Sequence, residues 1–377
     1  MNFTTLNVDL QAVAQRAYMS LYYKSTFMNF LNTSYMQTNR STPIIEIIKT
    51  VATAVNERET TEIMNPLNPE LATYNPSFVN LTELAMDYSF RVSPVITNAN
   101  VMGVIEDQIK LKDSALAKKI DVYGYKKLNT RINGASDGSM AYTNGQCKVW
   151  APANKEGYID IVNELKAILF DRDVYDGYML GLESIEYAKM VSALTSIIKY
   201  ETRTGVEAID RGTFAYAYGV DIFQINSKVL QANVKGYFGN EIAAVGDLYF
   251  TAMSEFPGNY PGYPGYYVLE GNILFGAEVV RPEAMIKLVD SLPTVGTYTI
   301  PALTKGTAMA AVTPTGGSGV VKYSAAGLPT GLTINAQNGQ VTGTPTATGT
   351  FEVSIFGADA NGNYGVPYNG TITVAGD

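Results

Sequence analysis

At 377 residues, 46% of them apolar and with a formal net charge of −8, the chain has room for two or three separately cored domains and is too apolar to be disordered. Histidine is absent, which removes serine–histidine–acid triads, cysteine–histidine pairs, histidine general bases and most zinc sites, and leaves carboxylate-only catalysis or a lysine nucleophile as the surviving enzyme chemistries. An acidic field does not grip nucleic acid, no apolar run reaches the length of a membrane span, and MNFTTLNVDLQ lacks a basic start and an apolar middle, so a soluble protein folded in a cytoplasm, with no membrane partner, is expected.

The first segment, VDLQAVAQRAYMSLYYKSTFMNFLN, reads as a helix or extended arm, with Tyr18, Leu21 and Tyr22 loosely on one face and Phe27, Phe30 and Leu31 continuing it. A polar linker to Pro43 closes this N-terminal arm, residues 1–44. Ile45, Ile47 and Ile48 open a strand, and after a long excursion with Asn-Pro and Pro-Ser turns MDYSFRVSPVI alternates as the returning strand. That much turn chemistry predicts a projecting β-arm over 45–97 in place of a compact hairpin.

A long helix is predicted over 98–128, where Val101, Ile105, Ile109, Leu116, Ile120 and Tyr123 form one stripe. Glu106, Asp107, Lys110, Lys112, Asp113, Lys118, Lys119 and Asp121, opposite that stripe, read as a solvated face. In the following loop Cys147, the one cysteine, has no disulfide partner and no activating histidine, and reads as a small semi-buried side chain. Tyr158, Ile161, Val162, Leu165, Ile168 and Leu169 define a second helix, ended by DRDVYDG. Asp171, Asp173 and Asp176 there are explained by turn formation. GYMLGL reads as a buried strand, SIEYAKMVSAL as a helix with Ser184 as N-cap, and Val220–Ile225 as a strand after a glycine turn. Ile242–Met253 is predicted helical, FPGNYPGYPGYY a non-helical loop, VLEGNILFGAEVV strand-like, and RPEAMIKLVD a closing helix with Pro282 in its first turn. No catalytic, cofactor or metal residue can be named. The body, 98–290, is α+β.

In this order the strings resemble the major capsid proteins of tailed bacteriophages with the Hong Kong 97-type fold. MDYSFRVSPVITNANVMGVIEDQIKLKDSALAKKID is similar to the β-arm strand entering the spine helix, and YIDIVNELKAILFDRDVYDGYMLGLESIEYAKMVSAL to the helix, acidic turn, strand and short helix that follow. GTFAYAYGVDIFQIN and NILFGAEVVRPEAM are similar to later strands. The resemblance covers about 45–290 and rests on order and spacing.

At residue 291 the composition changes. The first 290 residues hold 57 charged side chains, whereas the last 87 hold five (Lys305, Lys322, Glu352, Asp359 and Asp377) together with 15 of the 34 glycines. Leu332 and Ile334 alternate with polar residues, Asn338-Gly339 is a hairpin turn, Val341 lies on the next strand, and Phe351, Val353 and Ile355 form an inward face. YTIPAL and GTITVAGD supply an early and a last strand, so some seven short strands make a sandwich over 291–377. GLPTGLTINAQNGQVTGTPTATGTFEVSIFGADANG resembles the immunoglobulin-like repeat of bacterial surface proteins.

Together the resemblances imply a non-enzymatic major head protein in the virion, assembled in the bacterial host cytoplasm. Copies would build an icosahedral shell from hexamers and pentamers, with a separate scaffolding protein, a portal and double-stranded DNA held without sequence-specific contacts. The immunoglobulin-like domain would face outward, for weak adhesion to cell-surface or mucus carbohydrate or only as decoration. No cofactor is implied. Rival readings are an encapsulin-type nanocompartment shell, a carboxylate-dependent glycosidase with an accessory sandwich, and a tail-tube or fibre protein.

Overall fold

The computed structural model describes residues 10–36, 41–50, 74–93, 101–132, 147–194, 215–251 and 254–376. In chain order these form α1 (Leu10–Lys24), β1 (Ile44–Thr50), β2 (Tyr74–Asn80), β3 (Leu84–Asp87), β4 (Phe90–Val92) and α2 (Val101–Arg131). Next come β5 (Cys147–Val149), α3 (Lys155–Phe170), β6 (Tyr178–Glu183), α4 (Ser184–Ala193), β7 (Ala215–Ala217), β8 (Val220–Ile225), β9 (Val234–Gly239) and β10 (Ala244–Phe250). The body ends with β11 (Ser254–Tyr260), β12 (Tyr263–Glu270), β13 (Asn272–Val279) and β14 (Met285–Val289). Six strands follow: β15 (Leu303–Thr304), β16 (Lys322–Ala326), β17 (Leu332–Ile334), β18 (Val341–Gly343), β19 (Gly349–Ala358) and β20 (Tyr368–Ala375). The architecture is α+β followed by an all-β module, and among the described residues no helix is long and apolar enough to cross a membrane.

The chain divides into two compact units. The first comprises Met1–Met19, Asn32–Lys112 and Val245–Glu278. It contains the antiparallel ribbon β1–β2 and two three-stranded sheets, ordered β10-β13-β3 and β11-β12-β4. The described part of the expected returning strand, MDYSFRVS, does not pair with β1, and its last residues, 94–96, lie outside the described residues. Its residues form β3 and β4, which join β13 and β12, while β1 takes β2 as partner in the register Ile45↔Val79 and Ile47↔Ser77. The asparagine–proline chemistry of YNPSFVN concealed that strand, since Pro76 is tolerated only because β2 is an edge. Of the helix predicted over 242–253, Ile242 and Ala243 end a 3-10 turn, Ala244–Phe250 is strand β10, and 252–253 lie outside the described residues. Ala244, Val245, Leu248 and their neighbours are buried on both faces of β10, which erases the alternation that distinguishes strand from helix. The predicted loop FPGNYPGYPGYY is the β11–β12 hairpin, turning at Pro261-Gly262 with Gly262 at φ 86°, a conformation that favours glycine.

The second unit comprises Ser20–Leu31, Asp113–Ala244 and Val279–Asp377. Its six-stranded mixed sheet runs β5-β14-β9-β6-β8-β7. The closing helix expected over RPEAMIKLVD is one 3-10 turn, Pro282–Ala284, followed by β14, whose five residues are all buried. Proline does start a helical turn here, but a run buried on both faces belongs to a central strand. Ser184 is the first residue of α4 rather than its cap, and its hydroxyl donates to the Ile225 carbonyl.

The long helix expected over 98–128 is described from Val101 to Arg131, three residues past the expected end, and residues 98–100 lie outside the described residues. Ile109, Leu116 and Ile120 are buried, as the stripe predicts. Two members of the expected solvated face, Asp113 and Asp121, are buried as well, at 2% and 5% exposure. At about 100° per residue the buried positions from Ile109 to Asn129 sweep more than half the helix circumference. Asp121 receives hydrogen bonds from the Ser25 hydroxyl at 2.6 Å, the Thr26 hydroxyl at 3.1 Å and the Phe27 amide at 2.9 Å. Burial raises its pKa while those bonds pull it down. One turn on, Gly124 leaves room for the Phe27 ring, which a Cβ would overlap.

The C-terminal module packs a four-stranded sheet, β15-β20-β19-β16, with the hairpin β17–β18. Its core gathers Val295, Tyr298, Leu332, Val341, Val353, Ile355, Ile372 and Val374. The alternation read over Leu332–Val341 and Val353–Ile355 is observed, and Phe351 packs half-buried at the core's edge. Of YTIPAL only Leu303 enters a strand, and isolated bridges such as Thr297↔Thr315 replace the expected early strand.

Replacing Asp121 with alanine removes three charge-assisted bonds while relieving the cost of burying a carboxylate. The net effect expected is a loss of about 3 kcal/mol, read as a lower urea midpoint for the unassembled chain; an unchanged midpoint would show that Asp121 does not anchor the N-terminal segment.

Candidate assembly surfaces

Chemistry-bearing side chains are scattered. Among the described residues no group of three or more cysteine, aspartate or glutamate side chains is placed to hold a metal ion. Asp171, Asp173 and Asp176 sit exposed in the turn after α3, where Asp173 takes φ 62° and accepts from the Tyr175 hydroxyl at 2.6 Å. Arg172 between them donates to the Glu283 carbonyl. The cluster is a turn tied to the start of β14, as its sequence implies. An open groove of about 560 Å³ lies in the second unit, lined by Lys24, Thr26, Ser114, Lys118, Asp121 and Gln224. Its one buried carboxylate, Asp121, already holds the Ser25–Phe27 segment.

Cys147 opens β5 beside Lys287 of β14. Burial pushes its thiol up to about 11; Lys287 opposes this and Asp359 adds to it. The thiol is therefore protonated at neutral pH and is a poor nucleophile, in line with its expected passive role.

The surfaces carry more information. The β1–β2 ribbon buries Ile45, Ile47 and Val79 on one face. On the other, Ile44 is 48% and Phe78 66% exposed. Neither strand pairs with a third among the described residues, and an isolated two-stranded ribbon is marginal in water.

A second surface lies on the β11–β12 hairpin. Tyr260 stacks on Tyr263 at 6.2 Å, and Tyr263 meets Tyr266 edge-on at 5.9 Å. The Arg91 guanidinium, carried by β4, lies 4.2 Å from the Tyr263 ring centroid. Sequence reasoning read this stretch as a non-helical loop and missed Arg91. Its position between Phe90 and Val92, both buried in an alternating strand, was the available signal.

The module's surface is almost uncharged and is tied by hydroxyl pairs, Thr294 with Ser318 at 2.9 Å and Thr297 with Thr315 at 3.1 Å. Val321 and Val366 are exposed on it.

Comparison with known proteins follows this division. The family model described as "Putative Ig domain" matches residues 292–375, so the C-terminal module is immunoglobulin-like. A search of curated proteins finds no match. Among solved structures, the chain is similar to one titled "Capsid of Ralstonia phage GP4", at 10% identity and TM-score 0.46, covering 71% of this chain and 90% of that one. It is similar also to "Capsid structure of the Cyanophage P-SCSP1u", at 12% identity and TM-score 0.45, covering 70% and 88%. A third, "Mycobacterium phage Che8", gives 13% identity and TM-score 0.44, covering 70% and 90%.

The thiol environment yields a measurable outcome. Alkylation of Cys147 in the folded chain is expected to be about 100-fold slower at pH 8 than for an ordinary thiol, and to climb about tenfold per pH unit toward pH 11. A rate that levels off near pH 9 would contradict the buried environment.

Proposed function

We propose that this chain is the major capsid protein of a tailed bacteriophage, a virion component that assembles in the bacterial host cytoplasm into an icosahedral shell around double-stranded DNA. The observation that carries the proposal is the β1–β2 ribbon. Its outer face exposes Phe78 and Ile44, and among the described residues neither strand pairs with a third, as expected of an arm that lies across a neighbouring copy. Heterologous contacts of this kind close into rings, here hexamers and pentamers. The acidic balance supports the same reading, because a negative lining lets packaged DNA slide. A separate scaffolding protein and a portal complete the expected partners, and the chain's task is geometric rather than catalytic.

The immunoglobulin-like module faces outward in this proposal, since genome fills the interior. Its nearly uncharged, threonine-rich surface suits weak contact with cell-surface or mucus carbohydrate, multiplied across the many copies of a shell.

Negative-stain microscopy of the purified chain is expected to show closed spheres, and Phe78→Asp to leave folded, unassembled protein with stability within about 0.5 kcal/mol of the parent. A solitary monomer in the unmutated protein would overturn the shell. For the module, full-length particles are expected to be retained on mucin and released by free glycans, whereas particles from chains ending at Asp290 pass through. Equal retention of both would end the adhesion reading.

A further inference from the structure

The immunoglobulin-like module and the body meet at a buried polar cluster. β14, the last body strand, runs directly into the module. At its centre Lys287 is fully buried, and its ammonium donates to the Asn129 side-chain carbonyl at 2.9 Å. Asn129, near the C-terminal end of α2, in turn donates to the Gln231 side chain. Cys147, paired with Lys287 across the parallel β5–β14 rung, places its sulfur 3.6 Å from the Ile132 carbonyl just past α2.

From the module comes the turn Asp359–Asn363. Asp359 accepts from the amides of Asn361 and Asn363, both at 2.8 Å, and from the Asn363 side-chain amide at 2.9 Å. Asn363 is fully buried, and its side-chain oxygen lies 3.9 Å from the Cys147 sulfur. The Asp359 charge is felt by both Lys287 and Cys147. A second tie lies at the linker, where Asp290 pairs with Lys235 at 3.2 Å and Asn233 donates to the Ser291 carbonyl at 3.3 Å.

We propose that the module is a fixed extension of the body, locked by insertion of the Asp359–Asn363 turn over the Lys287–Cys147 rung at the end of α2, and not a domain swinging on a tether. A single peptide linker would leave the module free to rotate. A second contact, from the buried Asn363 to Cys147, 216 positions earlier in the chain, removes that freedom. Cys147, the only cysteine in the chain, is half-buried with the turn's Asn363 against its sulfur, so thiol access reports the lock. The lock holds whether or not the chain builds a shell, and its test needs only unassembled full-length protein.

The probe is a maleimide dye, applied near neutral pH, with circular dichroism melts as the fold control. The unmutated chain is expected to react at least about tenfold more slowly than the same chain unfolded in denaturant. Asp359→Ala and Asn363→Ala, on the module side, are each expected to restore most of the lost rate while the melts stay cooperative. Lys287→Met loosens the same contact from the body side without touching the turn, and keeps the test decisive if the turn variants unfold the module. A thiol in the unmutated chain that reacts as fast as in the unfolded one overturns the lock. So does protection that survives both module-side and body-side changes.

Discussion

A single desolvated carboxylate sets where the N-terminal segment of the second unit can lie. Asp121 would be costly to bury alone. Three donors from consecutive residues, Ser25, Thr26 and Phe27, make it tolerable, and in doing so they fix that segment's backbone. The position then propagates through aromatic contacts. Phe27 meets Tyr125 edge-on at 5.8 Å, Tyr125 stacks on Tyr237 of β9 at 5.5 Å, and Phe30 reaches Phe223 of β8 at 5.3 Å. Helix, N-terminal segment and six-stranded sheet are thereby one packed object. The tyrosine hydroxyls within it stay protonated, because burial raises the Tyr125 and Tyr237 pKa far above the ordinary range.

The module solves the same problem without charge. Tyr298 donates to the Gly339 carbonyl and receives at its own carbonyl the hydroxyl of Tyr368, both at 2.9 Å. Two long side chains thus tie the hairpin turn and the last strand to the start of the domain. Threonine and serine pairs take the surface positions that ion pairs such as Lys148–Glu164 and Lys235–Glu183 occupy in the body. An uncharged surface has little dependence on salt and offers hydroxyls suited to neutral polar ligands, which is the physical content of the carbohydrate reading.

What could be read from the sequence followed from whether one face of an element stays wet. The module strands alternate because their outer faces are solvated, so Leu332, Val341, Val353 and Ile355 were legible as core. Helix α3 was legible for the same reason, its buried Tyr158, Val162, Leu165 and Leu169 forming one stripe. Where both faces are covered the signal vanishes. β10 and β14 hold consecutive buried residues, including Asp247 and Lys287, and a run with charges in it imitates an amphipathic helix. Asp247 accepts the Tyr18 hydroxyl at 2.8 Å, a partner 229 positions away that no local pattern announces. The full width of α2's buried face was missed likewise, because Asp113 and Asp121 are polar and sequence periodicity counts only apolar positions. The assembly surfaces were half legible. FPGNYPGYPGYY stood out as non-helical but was read as a loop, while β2 hid behind its proline and Arg91 behind its neighbours.

Under the proposed shell reading, the apolar exposure of the ribbon's described side chains, Ile44 and Phe78, is modest, and that is the favourable regime for assembly. Covering one phenylalanine side chain contributes about 2 kcal/mol, too little to hold two copies together against the freedom they lose on association. Once several copies are in place, the last addition to a ring makes contacts on both sides, while its loss of translational and rotational freedom is incurred only once. Closure therefore stabilises what no single contact can, and a misplaced copy, held by one ribbon alone, dissociates before the ring completes. A larger apolar face on β1–β2 would bind each neighbour more tightly but would trap such errors. In the proposed shell, one exposed Phe78 with a polar companion, Glu46, directly across the ribbon would leave such an arm adhesive enough to close a ring and weak enough to let wrong contacts part.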